Sequence, residues 1–478
     1  MPLESRTPPS TLSAAVPTDI HLGDVGVRGL PAELWLQIFA MGKRLDDTSL
    51  FANATQENGH IDSVSAVSHT CSYFRELAIN SPILWTSIRF DDTCSMSNIR
   101  LRILRSHPLM LDIAIYLLDE SVGPAPGLDW KSVDTFMDIV MDEIDKWRSL
   151  RIRLMVERAG HPVIMRLRDR LALNLEYLSI SVRFREPGSI PSEPHIFNHG
   201  APRLISAKLR GVAHTFYRPP LADLTTLRLE GIGNLSMGFD ALVRVITQPP
   251  NLRNLLIRKD IVPPDRWALR KRGSIPLPEL RSLHIYSESG AIYAGFLLAM
   301  DAPQLSALTL EDAFDKDLDP LWEQATPDQF QSLRRLTVPT EDHISSTTYV
   351  KICRLFPNVT EYTTCRGTPS TSQLFRLLRT PRRDDEEPVL LWPGLQTLRL
   401  ASDLLEEEDS MDRVQQLLDT RVTAGCPLRQ VCFFRSDDLD WMSDDEWSAL
   451  LQDPVQVVGY IDVLPGDSVY IDIDDIAV

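Results

Sequence analysis

The chain has 478 residues, with 49 Lys and Arg against 66 Asp and Glu, a formal net charge of −17. That excess of acid argues against nucleic acid or anionic membrane as a partner of the whole surface. Apolar residues make up 43% of the chain, too many for a disordered polymer, and the length allows about three compact domains or one elongated repeat domain with a small attachment.

Residues 1–29 carry proline and acid where a secretion signal needs an apolar stretch, and they are expected to form a disordered tail. Leu30-Pro31-Ala32-Glu33-Leu34 then opens a helix: Pro31 suits the first helical position, and Glu33 complements the positive N-terminal dipole. Leu34, Ile38 and Met41 repeat at i, i+4, i+7, flanked by Trp35 and Phe39. Residues 42–62 are polar and break the period. Val64, Val67, Cys71, Phe74 and Ala78 recur at helical spacing and predict one second helix of about 15 residues. Ser81-Pro82 ends it, and the apolar stop Ile83-Leu84-Trp85 precedes a short extended segment.

From about residue 94, helix and strand alternate. A helix with Val133, Phe136, Val140 and Ile144 on one face follows a strand around 108–118. An L-x-x-L-x-L phrase then recurs: WRSLRI at 147, LEYLSI at 175, LISAKL at 204, LTTLRL at 224, LRNLLI at 252, LRSLHI at 280, LSALTL at 305, LRRLTV at 333, a degenerate VTEYTT at 359, LQTLRL at 395 and LRQVCF at 428. Most spacings fall in the ~20–29-residue period of leucine-rich repeats. The last two apolar positions share one side of a strand and the first tucks beneath the same core, a surface that only stacked neighbours can bury. Beyond these phrases, 435–478 is acidic and is expected to cap the array.

Catalytic constellations do not stand out. The sequence has no phosphate-binding loop, dinucleotide fingerprint, nucleophile elbow or H-E-x-x-H helix. His195 and His199 are four apart, but the intervening residues and Gly200-Ala201-Pro202 read as a loop, so no metal site is expected. The six cysteines, Cys71, Cys94, Cys353, Cys365, Cys426 and Cys432, form no C-x-x-C pair and are expected to be reduced thiols, with Cys432 outward-facing in its repeat. No run approaches about 18 apolar residues. The expectation is a non-enzymatic protein without cofactor or membrane span, cytoplasmic and/or nuclear.

The blocks LPAELWLQIFAMG and VSAVSHTCSYFRELAINSPILWTSI resemble an F-box of the kind common in fungal F-box proteins. The resemblance is carried by Leu30, Pro31, Glu33, Leu34, Ile38, Phe39, Val67, Cys71, Phe74, Arg75, Leu77, Ala78, Pro82, Leu84 and Trp85. It implies a non-catalytic substrate receptor of an SCF-type ubiquitin ligase, docked on a Skp1-like adaptor and through it on a cullin. Leu30, Pro31, Leu34, Trp35, Ile38 and Phe39 would face Skp1, whereas Val67, Cys71, Phe74 and Trp85 would pack the unit and join it to the repeats. The alternative is a leucine-rich-repeat scaffold whose degenerate F-box joins no ligase.

The fold expected is α/β: a small helical F-box-like unit at 30–90, linking helices and a strand at 91–146, a leucine-rich-repeat solenoid of parallel strands at 147–434, and the acidic cap. Residues between and after the last two apolar positions of each phrase should point away from the core. In the early repeats these are basic. Lys208, Arg210, Arg228, Arg258 and Tyr286 are the expected substrate-binding residues, for an acidic or phosphorylated protein segment.

Overall fold

A computed structural model describes residues 29–52, 63–91, 94–117, 130–184, 195–211, 217–232, 237–267, 273–338, 344–364, 378, 382–384, 387–389, 391–401, 410–434 and 460–462. The expected tail before residue 29, the later half of the 42–62 segment (53–62) and most of the expected cap lie outside them. The chain divides into two compact units, Met1–Leu84 and Trp85–Val478.

In the first unit, helix α1 runs over Ala32–Ala52. It therefore continues well past the polar break expected after Met41. The added stretch has no proline, and its one glycine, Gly42, costs a helix interior only about 1 kcal/mol. The single second helix expected from periodicity is two, α2 (Ser63–Thr70) and α3 (Ser72–Ile79). Local side-chain bonding divides them. Ser68 Oγ and Thr70 Oγ1 donate back to Ser65 O (2.8 Å) and Ala66 O (3.0 Å), consuming carbonyls at the end of α2. Cys71 then adopts an extended backbone (φ −154°, ψ 169°), and its Sγ accepts the Phe74 N–H at 3.4 Å as the cap of α3. A periodicity continuous in sequence is thus carried by two helices.

The second unit is α/β, with a fourteen-stranded sheet whose strands follow one another in chain order. They are β1 (Ser87–Phe90), β2 (Leu111–Leu117), β3 (Trp147–Val156), β4 (Tyr177–Phe184), β5 (Ser206–Gly211), β6 (Thr226–Glu230) and β7 (Asn254–Arg258). After them come β8 (Ser282–Tyr286), β9 (Ala307–Glu311), β10 (Arg335–Val338), β11 (Glu361–Thr364), β12 (Thr397–Ala401), β13 (Gln430–Phe434) and β14 (Tyr460–Asp462). Neighbours pair in parallel up to β13, and β14 pairs antiparallel with β13. One strand per phrase, with helices between many of them, is compatible with a solenoid-like repeat.

The sheet starts before the first phrase. Ile88 and Phe90 of β1 and Ile113 and Ile115 of β2 are buried in the core that the phrases share, so these two strands belong to the sheet. Trp85, expected to pack the helical unit, falls on this side of the division and lies beneath Arg105, 4.4 Å from its guanidinium carbon.

The first apolar residue of each phrase does more than fill space. Leu224, Leu280, Leu305, Leu333 and Leu395 are buried, and the amide of each donates to the carbonyl three residues earlier. That turn aims the next two N–H groups at a single carbonyl of the preceding repeat. Thr225 and Thr226 donate to Ile205 O, Arg253 and Asn254 to Thr225 O, Arg281 and Ser282 to Arg253 O, and Ser306 and Ala307 to Arg281 O. The series continues with Arg334 and Arg335 to Ser306 O, Thr360 and Glu361 to Arg334 O, Gln396 and Thr397 to Thr360 O, and Arg429 and Gln430 to Gln396 O. Each repeat is thereby held in register at its strand entry, and the two variable positions of L-x-x-L are the donors.

Two tryptophans that stand in or beside the phrases find backbone partners for their indoles. Trp147 replaces the first leucine of its phrase, and its Nε1 donates to Val140 O at 3.1 Å. Trp392 Nε1 reaches Phe356 O at 2.9 Å across the long repeat before β12. Helix α11 (Ser410–Thr423) holds the fully buried Arg421, which donates to Trp392 O (2.7 Å), Cys426 O (3.2 Å) and Leu391 O (3.3 Å). Desolvation lowers the pKa of its guanidinium, which remains charged.

Between β8 and helix α8 (Ala291–Ala299), Gly290 has φ +80°, and a Cβ there would lie 2.0 Å from Asp317 Oδ1. Gly425 also has a positive φ, +73°, but nothing lies within 4 Å of its Cβ position. Gly425→Ala should therefore cost the left-handed strain alone, about 1–2 kcal/mol. Gly290→Ala should cost at least about 1 kcal/mol more through the clash, read as a lower urea midpoint. Equal losses would show that Asp317 moves aside freely.

Candidate interaction surfaces

The first surface is on α1. Leu30 (40% exposed), Leu34 (43%), Ile38 (47%) and Met41 (61%) follow at intervals of four, four and three residues, a stripe along one side of the helix, with Pro31 also exposed. Trp35 and Phe39 point elsewhere. Their rings meet Phe74 of α3 at centroid distances of 4.7 and 5.1 Å, and each other at 6.0 Å. Phe39 is only 5% exposed. Phe39 was expected to face a partner and does not: it is the packing side of the helix, and Trp35 is half-buried beside it. Of the six expected contact residues, Leu30, Pro31, Leu34 and Ile38 are presented. Met41 was missed, although its i+7 spacing from Leu34 marked it.

The second surface is the sheet face opposite the leucine rows. Strand alternation and register align Arg89, Ala114, Arg151, Ser179, Lys208, Arg228, Leu256, His284, Thr309, Thr337, Thr363, Arg399 and Cys432 in one row. The next outward row runs Tyr116, Arg153, Ser181, Arg210, Glu230, Arg258, Tyr286, Glu311. All five expected substrate residues lie in these two rows, in two groups: Lys208, Arg210 and Arg228 on β5 and β6, Arg258 and Tyr286 on β7 and β8. Outward direction does not guarantee exposure. Arg228, Leu256, His284 and Cys432 are buried among their row neighbours. Cys432 lies on β13 where β14 pairs along the strand.

The second group is internally satisfied. Arg258 Nη2 lies 3.3 Å from Glu311 Oε1, with its guanidinium carbon 5.2 Å from the centre of the Tyr286 ring. Glu311 Oε2 also accepts from His284 Nε2 at 2.8 Å. Tyr293 of α8 accepts the Ser287 N–H at 2.9 Å and donates to Glu311 O. Asp260 accepts from Ser287 Oγ (2.5 Å), Ser289 N (3.0 Å) and Ser289 Oγ (2.9 Å). Burial lowers the pKa of His284 against the opposing pull of Glu311, so the ring is neutral and donates from Nε2. This cluster fastens the strand ends to the following helix. Further along, Arg399 pairs with Glu361 at 2.7 Å.

His195 and His199 lie outside any helix, in a turn where Phe197 has φ 54° and Gly200 φ 102°. Among the described residues, no cluster of three His, Cys, Asp or Glu could hold a metal, no disulfide joins the five described cysteines, and no helix is long and apolar enough to cross a membrane.

No protein-family model matches the chain, and none of the curated proteins is similar to it. Among solved structures, the crystal structure of a structural-genomics target from Bacteroides fragilis is similar over 60% of this chain and 80% of its own, at 16% identity and a TM-score of 0.33. A likeness that loose carries nothing over to this chain.

His284 has a pH signature. Its folded pKa lies below the ordinary 6.5 of the unfolded chain, so protons bind the unfolded chain preferentially as pH falls through about 6.5. Stability should drop on the acid side by up to about 1.4 kcal/mol per pH unit from this group. His284→Gln should make the thermal midpoint less sensitive between about pH 7.5 and 5.5; parallel curves for the two proteins would refute the assignment.

Proposed function

We propose that the chain is a non-catalytic substrate receptor of an SCF-type ubiquitin ligase. In this reading α1 docks on a Skp1-like adaptor, and through it on a cullin, while the repeat sheet holds a protein substrate. The carrying observation is the stripe Leu30, Leu34, Ile38 and Met41, exposed on the helix that bears the Leu-Pro-x-Glu-Leu phrase. A helix that buries one aromatic side in its own unit and leaves a second apolar side in water presents a patch suited to a protein partner. The sheet offers ordered rows of polar and charged side chains on one face, which suits recognition of a protein segment. The substrate segment expected is acidic or phosphorylated, and the implied setting is cytoplasmic or nuclear.

The length of α1, which runs on to Ala52 where the resemblance has a break, favours the second reading, a repeat scaffold whose helical unit joins no ligase. Co-purification with Skp1 separates them. Leu34→Glu with Ile38→Glu should weaken Skp1 binding more than about a hundredfold, because two buried aliphatic contacts are each worth about 1.5–3 kcal/mol, with helicity and melting unchanged. Phe39→Ala should instead lower the stability of the unit, by about 3 kcal/mol or more. Wild-type protein that brings down no Skp1 would favour the scaffold, and a double variant that still brings it down would remove the α1 stripe as the contact.

A further inference from the structure

The strand entries form a rim along the sheet, and its charge is one-sided. Register sets Arg253, Arg281, Arg334 and Arg429 at one level, just before β7, β8, β10 and β13, with uncharged residues at that level on the strands between. All four are exposed. Among the described residues, the side chains of Arg253, Arg281 and Arg429 make no hydrogen bond, ion pair or ring contact. Arg334 donates from Nη1 to two neutral groups, the carbonyls of Gln331 (2.7 Å) and Leu333 (3.0 Å). Glu279, in the turn before β8, pairs with none of them, and Glu361, one residue further into the sheet, is held by Arg399 at 2.7 Å.

Strand β14 brings an acidic stretch to this rim. It runs antiparallel to β13, with Tyr460 beside Cys432 and Asp462 beside Gln430, so the chain leaves β14 at the level of Arg429. Residues 463–478 follow, carrying Asp467, Asp472, Asp474 and Asp475 and no Lys, Arg or His. The acidic runs Asp403–Asp409 and Asp437–Glu446 instead follow the far ends of β12 and β13. Direction therefore singles out 463–478 as the acidic segment delivered to the arginines.

Reach is sufficient. Arg281 stands six strand spacings from β14, roughly 29 Å at about 4.8 Å each. The stretch from Asp462 to Asp472 spans up to about 33 Å when extended, and Asp474 reaches about 7 Å further, as far as Arg253. Exposed ion pairs are individually weak. A tethered segment needs little affinity, however, because a short linker holds it at an effective concentration of about millimolar.

We propose that residues 463–478 lie along the strand-entry rim, with Asp467 toward Arg429 and with Asp472, Asp474 and Asp475 among Arg334, Arg281 and Arg253. The rim is a binding surface for an acidic extended segment, and the chain supplies its own occupant. Any other acidic partner has to displace that segment to use these arginines. The inference goes beyond the receptor reading and does not depend on it.

The test uses the full chain. Arg281→Lys keeps the charge and gives a carbodiimide an amine to join to a carboxylate, and peptide mass mapping of the monomer band locates the link. A link from position 281 to Asp472, Asp474 or Asp475 is expected, falling as salt is raised. Adding Arg253→Glu and Arg334→Glu should cut its yield roughly fivefold or more. Arg244→Lys, on the helix between β6 and β7, should give no such link. Circular dichroism and melting confirm that each variant is folded, and Arg281→Lys alone already decides whether the contact exists.

Absence of the link, equal yield from Arg244→Lys, or a yield unchanged by the two charge reversals overturns the proposal. A link found only in cross-linked dimers also overturns it, since the occupant is then a second copy. Skp1 is absent from every arm, so failure here leaves the adaptor contact of α1 untouched.

Discussion

The second unit depends on one recurring arrangement at the strand entries, where a buried leucine closes a turn and two consecutive amides converge on one carbonyl of the repeat before. A slip of one residue would exchange the core rows for the polar rows, which burial of the leucines already disfavours. The bifurcated contact removes that freedom at each step. Since each hydrogen bond contributes only about 1 kcal/mol net, the strength lies in repetition: one repeat's register fixes the next, and leucine rows form without a long-range contact between distant repeats.

That regularity has a chemical consequence on the opposite face. Once every strand is in register, residues far apart in sequence stand in straight rows, and charge becomes a pattern along the sheet. Arg258 and Glu311 are 53 residues apart yet paired, because β7 and β9 lie two strands apart. After β6 the rows set Arg258 beside Glu311 and both Arg335 and Arg399 beside Glu361.

The helical unit solves a different problem. Its three described helices do not enclose every apolar side chain, and α1 divides its sides: Trp35 and Phe39 close against Phe74, and Leu34, Ile38 and Met41, with Leu30 just before the helix, remain in water. Burial of the aromatic side fixes which other side is shown, which is why stability and partner contact can be changed separately.

Much of this was legible in the chain. The L-x-x-L-x-L phrases determined where strands lie and which side of each is buried, because alternation is a local property of extended backbone and the phrases from Leu175 to Leu395 obey it. The helix start at Pro31 was equally local. The remainder was decided by tertiary structure. Whether Phe39 faces in or out depended on Phe74, a residue on another helix. Whether Arg258 carries usable charge depended on Glu311, which register brings within reach two strands away, and whether His284 meets water depended on its row neighbours. The recruitment of β1 and β2 into the sheet followed from edge pairing that no phrase announces. Sequence determined the period and the apolar side because those are set residue by residue along one strand. Accessibility and charge compensation are properties of neighbouring strands and helices, and they existed only once the repeats were stacked.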